Sequence, residues 1–467
     1  MSSLSGHSDR MNCPSHFRFL ALVCGVVAFF QTMTVCVFGS EPWQVGLARE
    51  SILPTEPIWM SGYASRDRPA EGTPRTELWA KATVLKDAAN RIGVILSLDI
   101  LGFGSDVSTA ICSAIMEKAS LERSQIFINA SHTHTGPVVG NNLGSMYFFS
   151  EVEAEKIERY TEFLIEQSVS AVTRALQGLQ DATLSYGIGQ ARFGVNRRNN
   201  PEMLVPKLRF EGELKGPFDY SVPVLRIADS DQRTVGILFG YACHATTLSD
   251  YQWSGDYPGY AQQFVEARYP RAMAQFIAGC GADINPLPRR KAALAVGYGG
   301  ELARSVSDVL RGVMESLEPQ LETRYSVTNL RFENVPGRDR LLRDAASEDR
   351  YVVSRARKWL KVIDAGGVIP SSYEYPISWW RLGNSMNFVG MGGEVVVEYA
   401  LAIKQLYGAA TWVAGYSHDV MAYIPSKRIW LEGGYEGATS MIYYGQPDRW
   451  SETVEDDVLS AVQSLAR

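Results

Sequence analysis

The chain of 467 residues is long enough for two or three ordinary domains, or for one large α/β domain. Its composition, with 46% hydrophobic and 21% charged residues, is that of a globular protein. A formal net charge of -6 disfavours broad electrostatic attraction to nucleic acid, so we expect no nucleic-acid partner.

The N-terminal segment is the first predicted element. An apolar run extends from Phe19 to Phe38 after a polar, weakly basic stretch, and Val37 and Gly39 stand where the small residues of a cleavage site are expected. The run is also long enough to cross a bilayer. Residues 1–40 are therefore predicted to be a signal peptide or an N-terminal membrane anchor through residues 19–38. Either alternative implies export to the periplasm or the cell exterior.

Short β-rich runs then alternate with helical patterns. ELWAKATVL (77–85), RIGVILSLDIL (91–101) and SQIFINA (124–130) predict strands, and SDVSTAICSAIMEKA (105–119) predicts a helix with Ser105 as its N-cap. The densely charged stretch 337–361 has apolar residues at helical intervals and predicts a helical surface insertion. The alternation predicts a mixed-sheet α/β fold, in which residues 41–467 form a single large domain with flanking helices.

Histidines follow two of the apolar runs. His132 and His134 stand in NASHTHTGP (129–137), directly after a predicted strand, and they would point to one side if the extended backbone persisted. His244 follows another apolar run, Val235–Ala242. Neutral imidazole is the commonest protein ligand of zinc, but an isolated H-x-H pair is also compatible with hydrogen-bonded polar residues at a strand end. Additional candidate ligands elsewhere in the sequence are needed to distinguish a metal site from hydrogen-bonded histidines.

Two later stretches supply such partners. Glu394 stands in NFVGMGGEVVVEYA (387–400) between a predicted strand and a helix, and Tyr423 and Tyr435 stand in a predicted loop. Together the stretches resemble the neutral ceramidases, zinc amidases also described as neutral/alkaline non-lysosomal ceramidases. Members of that family carry a T/S-H-T-H-S-G-P segment, a later histidine near S-G-D, a G-E-F segment and two tyrosines twelve apart. The resemblance extends over roughly residues 44–467.

The resemblance implies a role for each matching residue. The implied ligands of a Zn²⁺ ion are His132, His244, Glu394 and Tyr423. The implied catalytic residues are His134, which lines the site, Arg197 of the segment Asn196-Arg197-Arg198, which faces the substrate, and Tyr435, the second active-site tyrosine. On general grounds His134 could carry a proton to the leaving amine, and Arg197 and Tyr435 could donate to a developing oxyanion.

One position departs from the family. The family segment G-D-V-S-P-N contains a serine with an assigned catalytic role, whereas this chain has GADINPLP (281–288) with Asn285 at the serine position. An amide cannot act as a nucleophile. We therefore expect either hydrolysis by zinc-activated water alone, with Asn285 orienting water or substrate, or loss of the family's activity. The chain also ends where family members usually continue into an immunoglobulin-like C-terminal domain, so docking to a membrane surface is expected to differ.

The leading hypothesis is an exported zinc hydrolase that cleaves the amide bond of ceramide or a related N-acyl lipid. A zinc amidase for another N-acyl substrate is one alternative, and a catalytically silent lipid-binding homologue that keeps the metal as a structural element is another. Structural roles also remain open for single residues. Glu394 could begin a helix, the tyrosines could be packing residues and Arg197 could pair with a surface acid.

Overall fold

The computed structural model describes residues 41–467. The predicted signal peptide or anchor, residues 1–40, lies outside the described residues. Within the described part of the chain, no helix is both long enough and apolar enough to cross a membrane.

The strands and helices alternate along the chain. The strands are β1 Trp43–Ser51, β2 Trp79–Lys86, β3 Ile92–Leu98, β4 Ile126–Ala130, β5 Gln180–Gln190, β6 Gly194–Asn196, β7 Ser221–Asp229, β8 Thr234–Tyr241, β9 Met273–Ala278, β10 Ile284–Pro286, β11 Glu315–Leu317, β12 Leu321–Arg331, β13 Ser372–Leu382, β14 Met386–Met391, β15 Glu394–Val395, β16 Thr411–Ala414 and β17 Tyr423–Ile424. The helices are α1 Ser105–Ala119, α2 Glu151–Gln177, α3 Val205–Glu211, α4 Asp256–Arg268, α5 Ala292–Arg311, α6 Arg338–Asp344, α7 Arg350–Asp364, α8 Val397–Tyr407, α9 Lys427–Glu432, α10 Gly434–Gly437 and α11 Val454–Ala466.

Two mixed sheets organise these elements. The larger sheet has the spatial order β4-β3-β2-β1-β5-β7-β8-β9, with β11 paired to β5, and the smaller has the order β12-β13-β14-β16. In the larger sheet the pairs β3–β4 and β8–β9 are parallel, and the remaining pairs are antiparallel. The predicted mixed-sheet α/β fold is confirmed.

The two sheets pack face to face and carry helices on their outer faces. Large side chains from both sheets fill the space between them, including Trp43, Phe127, Trp380, Phe388 and Trp412. Helices α1, α2, α4 and α5 pack on the larger sheet or on one another, and α8 and α11 pack on the smaller sheet. Because strand side chains alternate between faces, each sheet can bury one face against the other sheet and one against helices.

The predicted local elements are confirmed with three corrections. Tyr423 begins β17 and Tyr435 lies in α10, whereas both were predicted in a loop. β2, β3 and β4 lie within or next to the predicted strands, and α1 covers the predicted helix. Ser105 is the first helical residue and not the N-cap, which is Gly104 and makes no side-chain capping bond. The charged insertion forms two helices, α6 and α7, which share a small core around Leu341 and Trp359.

The inter-sheet core gives a stability prediction. Phe127 is fully buried and stacks on Phe388 with ring centroids 4.2 Å apart. Phe127→Ala should lower the free energy of unfolding by about 3 to 5 kcal/mol, because it removes apolar contacts and leaves a cavity. The matched control Phe210→Ala, at a position 92% exposed, should change it by less than about 0.5 kcal/mol. Urea unfolding of both variants measures the difference, and equal effects would contradict this packing.

Candidate metal centre

The candidate site forms where two strand ends approach a short parallel ladder. His132 follows β4 and His244 follows β8, and a parallel bridge joins the segments that carry them. Glu394 and Tyr423 are the first residues of β15 and β17 and lie opposite each other in that ladder. Four side chains from distant parts of the sequence therefore meet at one end of the sheets.

The backbone turns within the histidine segment. His132 has φ 60°, in the left-handed region, so the extended geometry assumed for this segment does not persist. The expected convergence occurs nevertheless, since the Nε2 atoms of His132 and His134 are 3.3 Å apart. Gly62 is required beside them, because a Cβ there would lie 2.3 Å from His134 Nδ1.

Backbone carbonyls orient all three imidazoles. The Nδ1 atoms approach three carbonyl oxygens, Leu101 for His132 at 2.8 Å, Gly62 for His134 at 3.1 Å and Gly281 for His244 at 2.7 Å. A carbonyl oxygen can only accept, so Nδ1 carries the proton in each ring and Nε2 presents a lone pair. The three Nε2 atoms thus face one another as acceptors.

Glu394 completes this cluster of acceptors. Its Oε2 lies 3.1 Å from the Nε2 atoms of both His132 and His244, and it is buried without a hydrogen-bond donor. Its Oε1 accepts a hydrogen bond from Tyr444. The hydroxyl of Tyr423 lies 3.3 Å from His244 Nε2. Lone pairs from several groups therefore point at a single buried region.

Burial determines the protonation of the cluster. It lowers the pKa of His244 to about 4, with the nearby Arg197 acting in the same direction. It also lowers the pKa of His134 well below its usual value, and the neighbouring imidazoles add to that effect. At neutral pH His134 and His244 are thus neutral, and their Nε2 atoms are acceptors.

These donors fit a metal ion. One nitrogen from each of His132, His134 and His244 lies within 4.8 Å of the other two. Glu394 Oε2 is buried without a donor, and the Tyr423 hydroxyl can donate to His244 alone, so a cation at the centre would satisfy acceptors that otherwise lack a partner. Nitrogen and carboxylate donors suit zinc. The geometry places His134 as close to the centre as the ligands that the family resemblance implies, so its role requires a separate test.

Arg197 links the cluster to the residues beside it. It follows β6, which pairs with β10, and its side chain is largely buried. Its Nε donates to Glu436 at 2.8 Å, and its Nη2 donates to the Tyr423 hydroxyl at 3.2 Å. The guanidinium also lies 5.7 Å from the ring centroid of Tyr435. Arg197 therefore pairs with a buried acid in the site, and not with a surface acid.

Asn285 lies next to Arg197 and makes only long contacts. Its Oδ1 is 3.4 Å from Arg197 Nη1 and 3.4 Å from the Thr246 hydroxyl. The carboxylate of Asp283, two residues earlier, accepts hydrogen bonds from Asn196 and from the Val397 backbone. The Asn285 side chain thus has access to the site, while Asp283 holds the surrounding segments together.

Three residues of the site were not predicted from the sequence. Glu436 holds both Arg197 and Arg198, Tyr444 supports Glu394, and Tyr416 stacks on His132 with ring centroids 4.1 Å apart. Proximity to Tyr435 was the one available signal for Glu436. Nothing in the local sequence distinguishes Tyr416 or Tyr444 from the other tyrosines.

Another buried histidine lies outside the cluster. The Nε2 of His418 is 2.8 Å from the Ser378 hydroxyl, and its Nδ1 is 3.1 Å from Arg123 Nη2. These partners, together with an edge contact to Phe127, place His418 in the packing between the two sheets and outside the metal centre. It offers an internal control for the histidines of the centre.

Comparisons with known proteins identify what the chain resembles. A family described as "Neutral/alkaline non-lysosomal ceramidase, N-terminal" matches residues 43–283, more than half of the chain. The neutral ceramidase from Pseudomonas aeruginosa is similar in structure, with a TM-score of 0.70 at 17% identity over 92% of this chain and 75% of that one. A structure described as "Ceramidase complexed with C2" has a TM-score of 0.67 at 16% identity over 91% of this chain and 76% of that one. No curated protein matches. At these identities the structural likeness establishes the fold.

The family resemblance predicts which residues hold the metal, and it leaves His134 outside the ligand set. His132→Ala, His244→Ala and Glu394→Ala should each lose most bound zinc, because each removes one donor from the centre. His134→Ala should retain the ion. Metal content per folded chain, measured by mass spectrometry of the purified variants, tests both statements, with His418→Gln as the control that keeps its zinc. Full zinc in the first three variants would exclude this centre, and loss in His134→Ala would make His134 a ligand.

Proposed function

The chain belongs to the neutral/alkaline non-lysosomal ceramidase family, and on that premise we propose that it is a zinc-dependent hydrolase of ceramide or a related N-acyl lipid. It cleaves the amide bond and releases a fatty acid and an amine. The observation that carries the proposal is the convergence of His132, His244 and Glu394 on one buried region beside Arg197. Such a set of nitrogen and oxygen donors is typical of hydrolytic zinc sites, whereas closed structural sites favour cysteine and histidine.

The residues of the centre are proposed to have complementary roles. Zinc bound by His132, His244, Glu394 and Tyr423 would polarise the substrate carbonyl and lower the pKa of the attacking water. The neutral His134 can accept the proton that is released when the water oxygen adds to the amide carbon. It can then deliver that proton to the leaving nitrogen as the C–N bond breaks, so that the amine departs neutral.

Arg197 and Tyr435 are proposed to stabilise the oxyanion. A guanidinium carries five N–H donors, and three contacts of Arg197 engage Glu436, Asn285 and Tyr423. Two donors therefore remain for substrate. Loss of one donor to an oxyanion typically costs about 3 kcal/mol in transition-state energy.

The site is open on the side of these two residues. Tyr435 is 40% exposed, whereas His132 and His244 are each 1% exposed. A substrate can thus approach Arg197 and Tyr435 from solvent while the metal-binding side chains remain protected. A centre that served only as a structural element would not need this opening.

Two alternatives remain as proposals. A different N-acyl substrate would use the same chemistry, and a panel of N-acyl amino acids and N-acyl lipids distinguishes it from ceramide. A silent lipid-binding homologue is favoured by one observation, the asparagine at position 285 where the family has a serine.

Arg197 provides a test of the proposed chemistry. Arg197→Lys keeps the positive charge but loses the planar fork, so kcat/KM for ceramide should fall about 100-fold with zinc retained. Fatty acid release from ceramide in detergent micelles measures it. Arg233→Lys, at an exposed position paired with Asp229, is the matched control and should hydrolyse ceramide at the wild-type rate. An unchanged rate in Arg197→Lys would remove Arg197 from the reaction.

Asn285 separates the active enzyme from the silent homologue. With water as the nucleophile, Asn285→Ala should keep hydrolysis within about tenfold of wild type, since the two side-chain contacts are long and weak. No covalent acyl-enzyme should be trapped in wild type. An inert, zinc-loaded wild type would instead favour the silent homologue, and a trapped acyl-enzyme would contradict attack by water.

A further inference from the structure

A second cavity lies beside the centre. It has a volume of about 500 Å³ and separates α7 from the loop at residues 141–145. Ligand pockets in proteins typically measure about 300–1,000 Å³, so a small molecule can be accommodated. The side chains used below are Ser145 on the loop, Tyr444 across from it, and Ser354, Lys358, Lys361 and Val362 on α7.

The α7 residues of this cavity form one stripe of the helix. Ser354, Lys358 and Lys361 follow one another at intervals of four and three, which places their side chains on the same face. Val362 adds apolar surface next to them. The methylene stems of the two lysines extend that apolar surface toward their ammonium groups.

The two lysines of the cavity have no acidic partner among the described residues, in contrast to three of the arginines of the insertion. Arg355 of α7 pairs with Asp344, and Arg338 of α6 pairs with Asp364. Lys358 and Lys361, by contrast, form no ion pair with any carboxylate of the described residues. Lys358 Nζ donates to the Gly445 carbonyl at 3.0 Å, which leaves two of its three N–H donors free. Two uncompensated positive charges therefore stand at one cavity.

One residue of the cavity, Tyr444, also contacts the metal centre. Tyr444 is buried, lines the cavity and donates its hydroxyl hydrogen bond to Glu394. Closer to the start of α7, Tyr351 contacts Tyr443 with ring centroids 5.0 Å apart, and Tyr443 contacts Tyr435 at 6.2 Å. A ligand in the cavity would thus touch a residue that supports a proposed metal ligand, without entering the site.

We propose that this cavity binds a small amphiphile with an anionic headgroup, the headgroup at Lys358 and Lys361 and the apolar chain against Val362 and Tyr444. A fatty acid has this chemistry. The identification of the fatty acid as the enzyme's own product rests on the proposed function, whereas the binding site itself does not. A fatty acid bound in the cavity would contact Tyr444, whose hydroxyl donates a hydrogen bond to Glu394.

Calorimetric titration of the whole chain with decanoate, below its micellar concentration and without substrate, tests the site. Wild type should bind decanoate, and Lys358→Glu/Lys361→Glu should bind it at least tenfold more weakly, because both charges at the headgroup are reversed. The matched control Lys207→Glu on α3, which carries an exposed lysine, should bind within twofold of wild type. Equal affinity of the double variant and wild type would overturn the proposal. If the double variant does not fold, Lys361→Glu alone should still weaken binding, and an unchanged affinity there would also overturn it.

Three further ligands define the chemistry. Decanol has the chain without the charge and should bind at least tenfold more weakly than decanoate, and equal binding would exclude the lysines as the headgroup site. Inorganic phosphate has the charge without the chain and should bind more weakly than decanoate, and equal binding would exclude the apolar wall. Decyl phosphate binding more tightly than decanoate would overturn the fatty-acid identification in favour of a lipid phosphate. Because the titration involves no hydrolysis, failure to cleave ceramide would refute the proposed function and leave this result standing.

Discussion

Three imidazole nitrogens and one carboxylate oxygen point at the same buried region, and the structure around them has to hold these acceptors together. Hydrogen bonds from each Nδ1 to a backbone carbonyl fix the orientation of the rings, and Tyr444 fixes the carboxylate of Glu394. The three carbonyls belong to loops, one between β1 and β2 and the others directly after β3 and β9, so the loops that the two sheets anchor set the orientation of each ring. A cation in this region would convert a repulsive arrangement into a stabilising one, and would favour the folded chain by linkage.

Arg197 lies between this centre and the solvent-exposed Tyr435. Its buried ion pair with Glu436 incurs a desolvation cost, and such pairs add little net stability even when their geometry is good. The ion pair with Glu436 instead fixes the orientation of the Arg197 guanidinium. Glu436 also binds Arg198, so a single carboxylate holds two adjacent arginines, and the Arg197 guanidinium is fixed between Tyr423 and Tyr435. The donors that would meet a substrate are therefore positioned before it arrives.

The charged insertion has a role beyond covering the surface. Its pattern of charges predicts a solvated helical segment, and α6 and α7 agree with that prediction. The face of α7 that carries Ser354, Lys358 and Val362 nevertheless forms one wall of a cavity whose floor is Tyr444. Surface helices can thus contribute to a site when the opposite wall comes from a distant segment, here the loop at 141–145.

Sequence patterns alone were enough to predict several of the elements and to propose the residues of the centre. Alternating apolar residues predicted β2, β3 and β4, and the spacing of His132, His134, His244 and Glu394 together with the family resemblance identified the residues that converge. The periodicity and the motifs can each be recognised within a short segment of the sequence. The boundary at Ser105, the division of the insertion and the partners Glu436 and Tyr444 depended on tertiary structure. Arg197 and Glu436 are 239 residues apart, and Glu394 and Tyr444 are 50 apart. Which buried polar groups contact each other depends on the packing of the whole chain. Local periodicity reports only on the element that contains it, so it cannot predict such distant contacts.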